Sequence, residues 1–379
     1  MSIYLDCNAT TPLDPVVLAE MQQFLELEYG NAGSRTHEYG VRAKKAVEDA
    51  RRELSAMLAL EAQSVVFTSG ATESNNLALL GLADYGRAIG KRHLVTTAIE
   101  HKAVLEPLEH LQSLDFELTV VPVGASGTVS AERLLEAVRD DTLLVSVMHA
   151  NNETGVFQPI EEIAESLPRE QTPFFHVDAA QTFGKHGDIL KHERIDLLSV
   201  SGHKIFGPKG IGALGVRRRN GNRPQLQPLV YGGGQERGLR PGTLPVHLIV
   251  GLGVAAREAR VHCVARNKRC LELRQEIVAA LQPLGVEFNG DCDQVLPHVV
   301  NCSIPGVDSE AAMLALKGKI AISNGSACTS SSYTPSHVLK AMTLDEDRIE
   351  GAMRISWCHL TPDADWESLI TQPLKVLTS

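Results

Sequence analysis

The chain has 379 residues, 43% of them hydrophobic, and a formal net charge of −10 at pH 7. Its length suits one large and one small domain around a sizeable core. Its charge argues against a general grip on nucleic acid, which needs a basic face; the "RRR" of Arg217 to Arg219 is a local patch only.

From the start of the chain, "MSIYLDCNATTPLDP" lacks the basic and apolar regions of a signal peptide, and no apolar run reaches membrane-spanning length. The seven cysteines (Cys7, Cys263, Cys270, Cys292, Cys302, Cys328 and Cys358) are odd in number and irregularly spaced, with no CxxC. That pattern argues against a disulfide framework and against a zinc site. The expectation is a chain in a reducing, cytoplasmic setting, with no metal and no membrane attachment.

Short apolar runs then alternate with helical stretches through the first two thirds. The strand candidates are "SVVFTSG", "HLVTTAIE", "ELTVVPV", "LLVSVMHA", "FFHVDAA", "DLLSVSG" and "GALGVRR". Helical stretches such as "THEYGVRAKKAVEDARRELSAMLA" and "SAERLLEAVRDD" lie between most of them. This alternation predicts an α/β fold with a largely parallel, buried sheet. Near Gly251 the pattern changes to a long helix, about Val250 to Leu284. Then come "GVEFNG", "HVVNCSIPG", another helix and "IAISNGSACTSSSYTPSHVL". We expect a large domain over residues 15–250, and a small α+β domain from residues 1–14 and 251–379.

In open α/β sheets ligands sit beyond the carboxyl ends of the strands, and the polar clusters fall there. "TSGATESNN" opens a helix after a strand, and Gly70, Ala71 and Thr72 suit a phosphate seat. "IEHKAV" places His101, "MHANNETG" places Asn151, Asn152 and Glu153, and "FHVDAAQTFG" places Asp178. "SVSGHKIFGPKG" places Lys204, whose amine could form an imine if partly desolvated. Each has a plainer reading. These are a capped first turn, a solvated histidine, loop asparagines, half of a buried salt bridge, and a snorkelling lysine. Together they offer a phosphate seat, an imidazole, an amide, a carboxylate and an amine at one sheet edge. That set suits pyridoxal phosphate.

The chain resembles the group I cysteine desulfurases of the nitrogen-fixation and iron–sulfur-cluster type, in the class V aminotransferase family. The resemblance runs from "YLDCNATTPLDP" through "TSGATESNN", "EHKAVL", "MHANNETG", "HVDAAQ", "SGHKIFGPKGIGAL", "GGGQERGLRPGTLPV" and "SNGSACTS" to "MRISW". It implies an α/β, fold-type I pyridoxal-phosphate transferase, with a mostly parallel central sheet in the large domain and a smaller α+β domain. It also implies pyridoxal 5'-phosphate as cofactor, L-cysteine as substrate, a homodimer, and a sulfur-acceptor protein as partner. By the same mapping Lys204 would tie the cofactor as a Schiff base. Asp178 would hold its pyridinium nitrogen, Gln181 its phenolic oxygen, and His101 would stack on the ring. Ala71, Thr72, Ser201 and His203 would bind the phosphate, and Thr243 would reach the phosphate of the other subunit. Asn152, beside the cofactor, and Arg354 would hold the substrate carboxylate.

"ISNGSACTSSSYTPSHVL" sets Cys328 among small polar residues, the composition of an exposed loop. The resemblance makes Cys328 the nucleophile that takes sulfur from L-cysteine as a persulfide and leaves L-alanine. His101 would act as acid or base on the substrate thiol. Cys7 lies near the expected cleft mouth, and its role stays open. Rival readings are a selenocysteine lyase or related aminotransferase, and a non-catalytic sulfur-transfer scaffold. Two features depart from housekeeping members of the family: the short close at "WESLITQPLKVLTS", and Tyr333 after the cysteine. They favour a dedicated sulfur supply, either a pathway-specific cluster assembly or a nucleic-acid modification such as DNA phosphorothioation. Contact would run through a protein partner, with no direct nucleic-acid binding.

Overall fold

β-branched, apolar runs form strands where both faces can be buried, and that is where this chain places its main sheet. A computed structural model describes residues 2–168, 173–219, 221–324 and 335–378. In chain order the strands are β1 (Ile3–Tyr4), β2 (Val65–Thr68), β3 (His93–Thr97), β4 (Glu117–Val121), β5 (Thr142–Met148), β6 (Phe174–Asp178) and β7 (Leu197–Ser201). They continue with β8 (Gly212–Val216), β9 (Glu287–Phe288), β10 (Val299–Ser303), β11 (Ile320–Ala321) and β12 (Ala352–Ser356). β2 to β8 form one sheet in the order β2-β8-β7-β6-β5-β3-β4. Only β8 runs against its neighbours, β2 and β7; the remaining pairs are parallel.

The helices α1 (Pro15–Glu26), α2 (Glu38–Leu58) and α3 (Ala71–Leu80) come first in the chain. Asp14 caps α1 by accepting the Val16 amide at 2.9 Å, and Pro15 fills the first helical position, where no N–H is needed. One face of the sheet packs Val145, Phe175 and Val177 against Val47 and Leu54 of α2. The other face packs Val66, Leu94, Leu144 and Leu214 against Leu79 and Leu108. Each fully buried side chain of this kind contributes about 1.5–3 kcal/mol. A separate core gathers Leu5, Cys302, Ile355, Trp357 and Ile370 around the antiparallel β12-β10-β9 sheet.

A helix of 36 residues, Val246–Leu281, joins the two cores. Its first turns place Ile249 and Leu252 in the main core, and its last place Leu273, Ile277 and Leu281 in the second. It begins before the expected Val250 because Pro245 sits at the cap position. It stops before Leu284 because Gln282–Leu284 tightens into a 3-10 turn. A buried ion pair, Arg51 to Glu236 at 2.7 Å, fixes the segment leading into that helix. Glu236 also accepts the Phe67 amide at 2.8 Å, which ties the segment to β2.

The N-terminal segment lies between the cores. Asp6 bridges Ser356 in parallel, and the Cys7 amide donates to the Ser356 carbonyl at 3.0 Å. Further on, the Thr11 amide donates to the His203 carbonyl at 2.9 Å. Residues 7–11 therefore cross the carboxyl end of β7.

Candidate active site

The turn after β2 carries the first site element. Gly70 has φ 156°, a region that favours glycine, and caps α3. Gly212 on β8 is equally constrained, since a Cβ there would lie 2.6 Å from Gly70 Cα and 2.5 Å from the Val200 carbonyl oxygen. This close approach sets the α3 N-terminus beside Ser201. The first amides of a helix have no intrahelical acceptor, so they are available to an anion.

A cavity of about 390 Å³ opens there, at the carboxyl ends of the strands. Ala71, Thr72, His101, Asn152, Asp178, Gln181, Ser201, His203, Lys204 and Arg354 all line it. Thr243 is exposed and does not line this cavity. Cys328 and Tyr333 lie outside the described residues. A larger cleft of about 680 Å³ sits by Lys185, His186 and Cys263. Size alone would favour it, but it holds none of the strand-end cluster.

Asp178 ends β6 and is buried. Its Oδ2 accepts from Asn75 Nδ2 at 2.7 Å, and its Oδ1 accepts the Ala180 amide at 2.9 Å. Among the described residues no ion pair forms at Asp178, so the salt-bridge alternative is not what holds it. A carboxylate kept by neutral donors has one face of charge to offer a cationic ring nitrogen. His101 caps the helix Lys102–Leu114, its Nδ1 accepting the Ala103 amide at 3.0 Å. In the neutral ring the proton is therefore on Nε2. Burial, chiefly, holds this imidazole below its ordinary pKa; Lys204 and His337 push the same way, and Asp178 pulls back.

Lys204 lies in the 3-10 turn Gly202–Lys204 that follows β7. Its Nζ donates to the carbonyls of Asn8 and, at 2.9 Å, Ala9. His203 shares a hydrogen bond with Thr10 Oγ1 at 3.1 Å, and its pKa is lowered to about 4, first by burial and then by Lys204 and Lys209. Gln181 Nε2 donates to the Asn8 carbonyl at 3.1 Å. Arg354 on β12 is buried and divides its guanidinium. Nη2 pairs with Asp6 Oδ1 at 2.7 Å, and Nη1 donates to the Asn152 carbonyl at 3.1 Å.

Sequence reasoning missed Asn8, Ala9 and Asn75, all of which line the cavity. The "LDCNATTP" and "TSGATESNN" stretches contained them, but nothing in either indicates that two backbone carbonyls reach Lys204 or that Asn75 reaches Asp178. Glu100, next to His101, is a further omission. Its Oε1 accepts the Met148 amide at 2.9 Å, and burial raises its pKa to about 8.

Several buried polar atoms facing this region lack partners among the described residues: Asn8 Oδ1, Gln181 Oε1 and Arg354 Nε. Buried atoms of this kind are normally satisfied, so their concentration here marks space for a polar ligand. Pyridoxal 5'-phosphate fits the donor set. The α3 amides and Ser201 suit its phosphate, Asp178 its ring nitrogen, His101 its ring face, and the Lys204 amine its aldehyde carbon.

Comparison with known proteins agrees with this chemistry. The model of the family described as aminotransferase class-V matches residues 3–369. The cysteine desulfurase IscS of Vibrio cholerae serotype O1 (strain ATCC 39541) is 44% identical over 368 residues, covering 96% of this chain and 90% of that protein. A solved NifS-like protein has a TM-score of 0.91 and 36% identity, covering 100% of both chains. The crystal structure of DndA from Streptomyces lividans has a TM-score of 0.82 and 49% identity, covering 92% of this chain and 98% of that one. The chain belongs to the class-V aminotransferase family, in which it is a pyridoxal-phosphate-dependent cysteine desulfurase.

Proposed function

We propose that Lys204, Asp178, His101, Arg354 and Cys328 divide the conversion of L-cysteine to L-alanine among them. When bound, pyridoxal 5'-phosphate supplies an electron sink that acidifies the Cα proton of an attached amino acid. Asp178 keeps positive charge favourable at the ring nitrogen. Lys204 Nζ would hold the cofactor, and its amine takes the Cα proton and later returns one. Arg354, whose Nε has no partner among the described residues, orients the substrate carboxylate with Asn152 beside it. His101, carrying its proton on Nε2, exchanges a proton with the substrate sulfur. Cys328 then attacks that sulfur. The carbon–sulfur bond breaks as the sulfur–sulfur bond forms, so L-cysteine and a thiol give L-alanine and a Cys328 persulfide, with no outside oxidant.

The observation that carries this reading is the convergence of Lys204, Asp178, His101 and Arg354 on one cavity. The test is a single turnover of the holoenzyme with L-cysteine and no reductant. Alanine and protein persulfide are expected in equal amounts, and Cys328→Ser is expected to bind cysteine yet form neither. Alanine at the parent rate from that variant would favour a lyase that needs no cysteine.

The same reading makes the enzyme a cytoplasmic homodimer. Thr243, exposed here, would complete the phosphate site of the other subunit, and a fully active monomer in dilute solution would refute it. Among the described residues no helix is long and apolar enough to cross a membrane. The persulfide passes to a protein acceptor, for iron–sulfur cluster assembly or for nucleic-acid sulfur modification such as DNA phosphorothioation. The likenesses fall on both an IscS and a DndA, at 44% and 49% identity. Competition between a general cluster scaffold and a modification partner for the labelled persulfide decides the destination. Rapid transfer to the scaffold alone rejects the dedicated role.

A further inference from the structure

Four cysteines line one small cavity behind the active site: Cys7, Cys263, Cys270 and Cys358. Desulfuration uses none of them. Cys7 and Cys358 are buried and gather with Phe206 in one small apolar cluster, and the Cys7 amide donates to the Ser356 carbonyl, two residues before Cys358. The buried amine of Lys185, which burial holds below its ordinary pKa, lies in the same cavity, 3.2 Å from His298 Nε2. The free space is about 20 Å³, room for a water-sized molecule. Gly184, Lys185, Cys263 and Asn267 line both this cavity and the outer cleft of about 680 Å³, so the two adjoin.

We propose that Cys7 and Cys358 form a reactive thiol pair, a modification site for hydrogen peroxide, which closes to a disulfide behind the active site. Cys358 is the attacking sulfur. Its Sγ accepts from Thr361 Oγ1 at 4.0 Å, and its thiol is lowered to about 7, first by the neighbouring Cys7, with Lys185 acting in the same direction and burial opposing. The Cys7 thiol is pushed up by its neighbour Cys358 and by burial, so it keeps its proton. The Cys358 thiolate attacks one peroxide oxygen, the O–O bond breaks, and hydroxide leaves, becoming water on protonation. The resulting sulfenic acid is attacked by the Cys7 sulfur. Cys7 gives up its proton, and the sulfenic hydroxyl leaves as a second water. Two thiols lose two electrons and one peroxide is reduced.

The pair is joined directly to the active site. Asp6, before Cys7, holds Arg354, and the carbonyl of Asn8, after it, accepts from Lys204 and from Gln181. A disulfide fixes its sulfurs at about 2.05 Å, and so shifts the Asp6–Ala9 turn whose carbonyls hold Lys204. The coupling rests on the desulfurase reading; formation of the disulfide does not.

The test uses the holoenzyme carrying Cys328→Ser, which lacks the other reactive thiol. It is treated with hydrogen peroxide, alkylated, digested and analysed by mass spectrometry. A Cys7–Cys358 cross-linked peptide is expected, reversed by dithiothreitol. Roughly threefold or greater weakening of L-cysteine binding, read from cofactor absorbance, should accompany it, as small displacements at a site are costly. Recovery of Cys7 and Cys358 both alkylated, under peroxide that oxidises exposed Cys292, overturns the proposal. A cross-link with unchanged cysteine affinity overturns the coupling. A reduced chain that never binds cysteine refutes the desulfurase reading instead and leaves the cross-link result standing. Cys358→Ala should leave Cys7 unoxidised, and equal oxidation of Cys7 in that variant overturns the role of Cys358.

Discussion

Asn75 donates from Nδ2 to Asp178 Oδ2 at 2.7 Å, and both side chains are buried. The carboxylate at the heart of the cavity is thus held by a neutral amide from the first turns of α3, the helix whose N-terminus lines the same cavity.

Asn75→Ala removes that donor and leaves the Ala180 amide as the carboxylate's remaining partner. We expect cofactor affinity to fall about tenfold and stability by about 1–3 kcal/mol, the cost of an unsatisfied buried acceptor. Equilibrium dialysis of the cofactor and thermal melts of the apo chain measure the two effects separately. An unchanged affinity would mean that Asn75 is not a positioning residue for Asp178.

Lys204→Ala should end covalent retention of the cofactor, because no other lysine lies in the 3-10 turn. Borohydride reduction followed by peptide mapping is expected to find the cofactor on Lys204 in the parent and on no lysine in the variant. Turnover should drop by about 10²–10⁴-fold, the range for losing a positioned acid–base group. A reduced adduct on another cavity lysine, such as Lys209, would move the assignment.

The His101 imidazole is held below its ordinary pKa by burial. It therefore stays neutral under conditions where a solvated histidine would be charged. The acid limb of kcat/KM assigned to it should lie below pH 6.5, the ordinary histidine value. His101→Gln should lose that limb. A limb unchanged in His101→Gln belongs to another group.

Stability should decline on both sides of neutrality. His176 and His149 are buried, with pKa values lowered by desolvation to about 4 and about 3. A lowered histidine pKa means that the unfolded chain binds the proton first. Stability is then lost as pH falls below about 6.5 toward those values. Glu100 behaves oppositely, its pKa raised from 4.5 to about 8 by burial. Its contribution is full below 4.5 and is lost as pH rises through about 8. Melting temperatures from pH 4 to 9 should show both declines, and Glu100→Gln should flatten the alkaline one. An alkaline decline identical in Glu100→Gln would show that another group ionises.

Much of this site was legible because each element ends a strand. Asp178, Lys204 and His101 follow apolar runs in sequence, and the carboxyl-edge rule for parallel sheets gathers them without coordinates. The direction of β8 was less accessible, since "GALGVRR" reads the same way in either orientation. The carbonyls of Asn8 and Ala9 were harder still. Any residue supplies a carbonyl, so their approach to Lys204 across nearly 200 positions leaves no mark on side-chain type. The Cys7–Cys358 contact was hidden for a related reason. It depends on the Asp6–Ser356 bridge, which joins opposite ends of the chain.

The helix Val246–Leu281 has a consequence for how the chain can vary. At 1.5 Å per residue its 36 residues make a rod of about 54 Å. Adding or deleting one residue midway would turn everything beyond it by about 100°. Leu273 and Ile277 would leave the second core, and β12, which packs there, would lose the placement that brings Arg354 to the cavity. Changes in length can accumulate in surface loops, but along this rod the spacing is fixed like the teeth of a gear.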